Sequence, residues 1–376
     1  MNDPRRASLR LLALLTLTAL AAAALPRERA SAQSAPAQQP PSPNGKIVFQ
    51  STQGGDGFMS DIYVMDADGK HQTRLTDSPA IDDASPIWSP NGDQIAFLSD
   101  RGGNGYEIYL MNPDGSNQRP LRTAANGGPI NGANIEWSPD GKRLKYETSG
   151  FDLGDIYVVE VVAAGGVGDS ITPPQKINAN RPAGAEDTDA HWSPDGARFV
   201  FRSIACDFCL LTELYTMNAD GTNRVPVTND AGVESAPRWS PDGTRVVYTA
   251  ERNGVEGIYV KNANGAGAEV KVSGDAATPS GAVWSPDGTR VAFVGYPGRL
   301  YTAAPDGSAL TLLVDGLANG GGDIFWSPDG LKLAFHNNTA NCVDLYVVNA
   351  DGSRRPTNYT KTRRDDEFAS TWQKIG

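Results

Sequence analysis

Apolar and polar residues alternate in short bursts along most of the chain. Ile47/Phe49, Ile95/Phe97, Leu144/Tyr146, Phe199/Phe201, Val246/Tyr248, Val291/Phe293 and Leu333/Phe335 are seven such bursts with matching spacing. A period of two carried by β-branched and aromatic residues predicts strands. A second stretch follows each burst, built around Tyr63, Tyr109, Tyr157, Tyr215, Tyr259, Tyr301 and Tyr346. Most of these end in a turn such as Asp66-Ala67-Asp68-Gly69, and a short third stretch such as Thr73-Arg74-Leu75-Thr76 comes next. A loop then leads into a fourth stretch that ends in Trp. No helical pattern longer than two turns interrupts this order beyond the N-terminal segment.

The seven Trp set the period. They stand at 88, 137, 192, 239, 284, 326 and 372, at spacings of 42 to 55 residues. Six are followed directly by Ser-Pro-Asp-Gly or Ser-Pro-Asn-Gly, as in Trp88-Ser89-Pro90-Asn91-Gly92. Pro fixes φ for the first turn position, and Gly supplies the left-handed position that closes a tight hairpin. Four short strands per unit in seven units predict an all-β, seven-bladed β-propeller of four-stranded blades. Trp372 lacks the turn motif, and its missing half stands at the other end as Ser42-Pro43-Asn44-Gly45. The last strand is therefore expected to join the first three in one blade, closing the ring between the N- and C-terminal strands. The Trp and Tyr are expected in the core, with Trp packing between adjacent blades.

The first residues read differently. Arg5, Arg6 and Arg10 precede an apolar run from Leu11 to Leu25, the pattern of an export signal and short for a membrane span. Ala30-Ser31-Ala32 offers a cleavage site, with cleavage after Ala24 as the alternative; both Sec and twin-arginine export stay open. The expected organisation is a signal peptide over 1–32, a flexible linker over 33–41 and the propeller over 42–376. An exported protein, periplasmic or extracellular and monomeric, follows, with no membrane span once the signal is removed.

Charge narrows the partners. The formal net charge is −11, and removing residues 1–32 leaves −14. Nucleic acid is excluded as a partner, because phosphate binding needs clustered Lys and Arg. Hydrophobic residues make up 39%, enough for a core. Three His and three Cys leave little for a His-rich metal site or a disulfide framework.

The Trp-Ser-Pro-Asp-Gly motif, followed by a strand and an Ile-Tyr-Val-Met-Asn-x-Asp-Gly-like stretch, closely resembles the TolB-like propeller repeat over residues 42–376. The resemblance implies the propeller fold and binding of cell-envelope partner proteins. TolB itself carries an α/β domain before a six-bladed propeller, whereas this chain shows a signal, a linker and seven units. Similar repeats form the propellers of prolyl-oligopeptidase-type enzymes and oligogalacturonate lyases. No residues are left here for a hydrolase domain, and no Gly-x-Ser-x-Gly elbow is present.

The loops before each Trp and after each Ile-x-Phe strand share one face of such a ring, where function is expected. Those before Trp are acidic: Asp83, Asp187, Glu234 and Glu367 stand five residues ahead, and Asp82, Glu186 and Asp366 one residue earlier. Such carboxylates could receive a basic peptide, hold a hard cation such as calcium through oxygen ligands, or simply cap backbone N–H groups in solvated loops. No cofactor is expected otherwise. The acidic residues opening the Tyr strands (Asp61, Glu107, Asp155, Glu213, Asp344) recur so regularly that a hydrogen bond within the blade explains them. Cys206 and Cys209 could form a local disulfide, stay as thiols or serve a metal. Tyr106, Phe151, Phe208, Tyr296 and Phe368 could stack on a ligand or cover the blades. His191, beside Asp187 and Asp189, could act as a lone ligand or base. No catalytic set is visible. The expected function is a non-catalytic platform for an envelope or extracellular protein or peptide, with a carbohydrate-binding or carbohydrate-cleaving propeller as the alternative.

Overall fold

Each Ser-Pro-Asp-Gly turn is wired by its own side chains. Ser138 Oγ donates to Asp140 Oδ1 at 2.5 Å and accepts from Arg143 N at 2.9 Å. Gly141 N donates to Ser138 O at 2.8 Å, and Gly141 sits at φ +68°, a conformation that a Cβ disfavours. The chain therefore reverses tightly after each Trp, and the Ile-x-Phe strand runs back antiparallel to it. The computed structural model describes residues 44–53, 59–121, 134–148, 154–161, 173–204, 211–230, 232–276, 278–318, 323–338, 342–361 and 365–374. Within them 28 strands form seven antiparallel sheets of four, each ordered from the Trp strand outwards. We number blades 1 to 7 by their Trp, from Trp88 to Trp372.

The core repeats with the sequence. In every blade the aromatic of the second strand lies directly opposite the Tyr of the third: Phe49–Tyr63, Phe97–Tyr109, Tyr146–Tyr157, Phe201–Tyr215, Tyr248–Tyr259, Phe293–Tyr301 and Phe335–Tyr346. All seven Trp are buried. Three of the indoles reach backwards across the seam: Trp239, Trp284 and Trp326 donate Nε1–H to His191 O, Arg238 O and Val283 O at 3.1 to 3.3 Å. An Arg two residues past the turn glycine reaches forwards. Arg143 lies over the Trp192 ring at 4.7 Å, and its Nη2 donates to Gly196 O at 3.1 Å. Arg198 repeats this on Trp239 and Gly243. Cation–π contact and hydrogen bond together tie blade 2 to blade 3 and blade 3 to blade 4.

The expected closure is present. The strand Glu367–Trp372 pairs with Ile47–Ser51, with Ile47 opposite Trp372 and Ser51 opposite Glu367. Gln373 replaces the missing turn. Its N donates to Lys46 O at 2.7 Å, and its Oε1 accepts from Lys46 N at 3.1 Å, where Ser138 Oγ serves Arg143 N in blade 2. Its Nε2 donates to Gly92 O at 3.1 Å, the kind of bond that Arg143 gives to Gly196. One amide thus bridges the chain ends and the next blade.

The outermost strands are mostly two residues long. Blade 5 departs from this, with a five-residue edge strand, Thr311–Asp315.

Candidate functional site

The Trp strand is the innermost of each blade, so its residues ring the axis. In five blades it carries a bulge before Trp, and in four of these the residue three before Trp, Ser85, Asp189, Ala236 or Gly281, has positive φ. A bulge re-aims the neighbouring side chains and frees backbone N–H groups. The residue just before Trp is Ile87, Glu136, His191, Arg238, Val283, Phe325 and Thr371 around the ring. Blades 2, 3 and 4 therefore carry ionisable side chains at a position where the others do not.

These side chains touch across the seams. His191 Nδ1 lies 3.0 Å from Glu136 Oε2, and its Nε2 3.0 Å from Asp189 Oδ1. Arg238 Nη1 reaches Asp189 Oδ1 at 3.3 Å. Behind them stands Lys145, 0% exposed, where blades 1, 5 and 6 have Ala96, Ala292 and Ala334. Its Nζ donates to Glu147 Oε1 at 2.9 Å and lies 3.9 Å from Glu136 Oε2. Glu147 in turn accepts from the bulge amides Asp189 N and Ala190 N at 2.9 and 2.8 Å. A buried ammonium persists only when paired this closely. Burial pushes the Glu136 carboxyl up, but His191, Lys145 and Arg238 outweigh it and hold it below the usual range. The Asp189 carboxyl is likewise held low: burial opposes this, and His191, Arg238 and Lys145 prevail. One cation stands apart. Arg202 hydrogen-bonds Thr188 Oγ1 and meets no carboxylate among the described residues. It occupies in blade 3 the repeat position that Glu147 holds in blade 2, one residue past the aromatic of the second strand.

The acidic residues expected to line the mouth are placed differently. Asp83, Asp187, Glu234 and Glu367 are fully buried. Arg101 Nη2 reaches both Asp83 oxygens at 2.9 Å, and Arg224 grips Asp187 at 2.8 and 3.0 Å. Arg252 holds Glu234 at 2.6 Å, and Ser51 Oγ donates to Glu367 at 3.1 Å. Each of these guanidinium groups also lies over the Tyr of its blade: Tyr109, Tyr215 or Tyr259. Asp82 Oδ1 accepts from Ser60 N and Asp366 Oδ1 from Val343 N, both at 2.8 Å, so each caps the Tyr strand of the preceding blade. Glu186 stands half-buried at that same position. Six of the seven carboxylates are thus committed to ties within and between blades and do not form an open acidic ring. Among the described residues no group of three or more His, Cys, Asp or Glu converges as metal ligands do.

Of the remaining candidates, the Asp residues opening the Tyr strands do make bonds within their blades: Asp61 with Arg74 and Thr76, and Asp344 with Asn358 and Thr360. Tyr106 OH is bonded to Asp82, whereas Tyr296 and Phe368 are exposed. Cys206, Cys209, Phe151 and Phe208 lie outside the described residues; Cys342 is buried, with its Sγ 3.9 Å from Asp344 Oδ2. The sequence reading pointed to His191 but missed Lys145, Glu136 and Arg238. The signal for them was present, as charge at repeat positions that are apolar elsewhere.

These features define a seven-bladed propeller in which the residue before Trp is ionisable in blades 2 to 4 and apolar or neutral in the other four. A family model described as the TolB beta propeller domain matches residues 15–149 and 191–364, and the chain belongs to that family. The Tol-Pal system protein TolB of Bordetella pertussis is 29% identical over 179 residues, which is 46% of this chain and 36% of that protein. The chain thus spans about a third of the curated relative. Among solved structures, oligogalacturonate lyase from Vibrio parahaemolyticus superposes with a TM-score of 0.60 at 16% identity, covering 84% of this chain and 85% of the lyase. TolB from Acinetobacter baumannii gives 0.51 at 17% identity, covering 87% of this chain and 66% of that one. At such identities the likeness is one of fold. No helix among the described residues is long and apolar enough to cross a membrane.

Proposed function

We propose that this chain is an exported, non-catalytic propeller that holds a segment of an envelope or extracellular partner protein at the axial side of blades 2 to 4. Saturation of the titratable groups supports the reading. Both His191 nitrogens face carboxylates and Lys145 is held by glutamates, so neither of these two groups is left free as a base or nucleophile. The observation that carries the proposal is Arg202 in blade 3, a guanidinium that meets no carboxylate among the described residues, with Arg238 on the next blade. Guanidinium groups read carboxylates bidentately, so an acidic partner segment fits this edge. Likeness to TolB of the Tol-Pal system supports an envelope partner.

Affinity capture from envelope extract with the full chain tests this. Wild type should retain a partner that Arg202→Glu loses, at unchanged melting temperature. Equal capture by both would remove the site from the proposal. Depolymerisation of polygalacturonate by wild type would replace it with the carbohydrate reading.

A further inference from the structure

Three of the four carboxylates at one repeat position meet an Arg, and they do not fare alike. Both oxygens of Asp83 and of Asp187 are taken by an Arg. Glu234 is equally buried, yet Arg252 reaches only its Oε1. The other nitrogens of Arg252 are committed elsewhere, Nε and Nη2 to Glu269 at 2.8 and 2.9 Å and Nη2 also towards Asp230 at 3.4 Å. Glu234 Oε2 is left buried without a donor.

A second orphan oxygen belongs to the same cluster. Glu213 opens the Tyr strand of blade 3, as Asp61 does in blade 7 and Asp155 in blade 2. Those two are met by Arg74 and Lys176 from the outer strand, opposite Tyr63 and Tyr157. In blade 3 the residue opposite Tyr215 is Pro226, which brings no cation. Glu213 Oε2 is also buried without a donor.

The two glutamates flank one seam. Thr212, next to Glu213, accepts from Glu234 N at 2.7 Å and donates to Glu234 O at 2.5 Å, and it forms a bridge with Val233. The charged groups facing Glu234 are Arg252 from the second strand of blade 4, Glu213 from blade 3 and Asp230 from the loop between the blades. Glu269 enters through Arg252 and bonds Tyr248, with Lys261 behind it. One guanidinium thus serves four carboxylates.

We propose that Glu213 and Glu234 share one proton, making the seam between blades 3 and 4 a pH-sensitive joint that is tight when protonated and looser when both are ionised. Two acceptors in one buried cluster lack a donor, and a single proton supplies it. Burial, with Arg252 opposing and Glu213 and Asp230 adding, pushes the Glu234 carboxyl up to about 7. Burial raises the Glu213 carboxyl as well. A raised carboxyl stabilises the fold fully below its unfolded value and ceases to do so as pH rises through the folded value. The joint therefore weakens across neutral pH.

Thermal melting of the full chain from pH 5 to 9 tests this, against Glu234→Gln, whose amide supplies the missing donor. Wild type should lose about 3 °C between pH 6 and 8 relative to Glu234→Gln. Parallel profiles overturn the proposal. If the variant does not fold, infrared difference spectra of wild type decide. A protonated-carboxyl band present at pH 6 and lost by pH 9 is expected, and its absence at pH 6 overturns the proposal. In Glu213→Gln the amide replaces the proton, so the band should vanish; a band that persists there overturns the sharing.

Discussion

Two histidines stand near the axis, three blades apart, in opposite surroundings. His191 lies between the carboxylates of Glu136 and Asp189. His336 lies between two phenyl rings, with Phe325 and Phe368 at 6.3 and 6.4 Å. The backbone frame is the same around both. What differs is the residue before Trp and the inward positions of the second strand, so the two sides of the axis are distinct solvents built on one repeat. The charged side suits polar recognition; the aromatic side holds a histidine that burial pushes down to about 4.

The sharpest way to break this contrast is at Lys145. Truncation to Ala strands Glu147 and Glu136 beside an empty slot. Removing one partner of a buried pair costs about 3–5 kcal/mol. Blade 7 carries Val48 and Gln50 at these positions, and Gln50 Oε1 accepts from the bulge amide Ser85 N at 2.7 Å. The double change Lys145→Val/Glu147→Gln installs that pair in blade 2. Its melting temperature should recover most of the loss seen in Lys145→Ala. No recovery would mean that the charged side is needed for folding itself.

The aromatic side makes the next largest prediction. His336 is buried and enters the fold neutral, so acid must charge it or unfold the chain. Its folded value lies below the ordinary 6.5, so stability is complete above pH 6.5 and drains as pH falls towards 4. The whole shift is worth about 3 kcal/mol. Blade 1 has Leu98 at this position. His336→Leu should flatten the melting profile between pH 6.5 and 4 while changing little at pH 7. The charged side answers in a lower window, because Asp189 and Glu136 are depressed carboxyls that fail only below pH 3.8 and 4.5. A profile unchanged by His336→Leu would contradict the assignment of the upper window.

The frame was legible because seven copies vote on each position. Trp, Tyr, the turn motif and the split repeat gave blade number, strand order and closure. Partner identity was not legible in the same way. The slot above the blade Tyr is filled by Arg101 and Arg252 from the end of the second strand, but by Arg224 from the approach to the fourth. One spatial role is drawn from two sequence positions, so alignment of the repeats cannot reveal it. The acidic loop residues therefore looked solvent-facing when they are buried against those arginines. Lys145, Glu136 and Arg238 were legible only as departures from the repeat. Their contacts depend on bulges, which sequence alternation does not announce.

The smallest effect concerns the seam on the neutral side, where blade 7 meets blade 1. Gln373 does by side chain alone what Ser138 and Arg143 share in blade 2. Gln373→Ala and Ser138→Ala each remove two side-chain hydrogen bonds, about 2 kcal/mol in either variant, but those of Gln373 also reach the next blade. If the chain ends are sewn as firmly as a continuous turn, both variants should melt in one cooperative transition. Gln373→Ala should then sit only slightly below Ser138→Ala. An early, separate transition in Gln373→Ala alone would show that closure hangs on this amide more than on the paired strands Ile47–Ser51 and Glu367–Trp372.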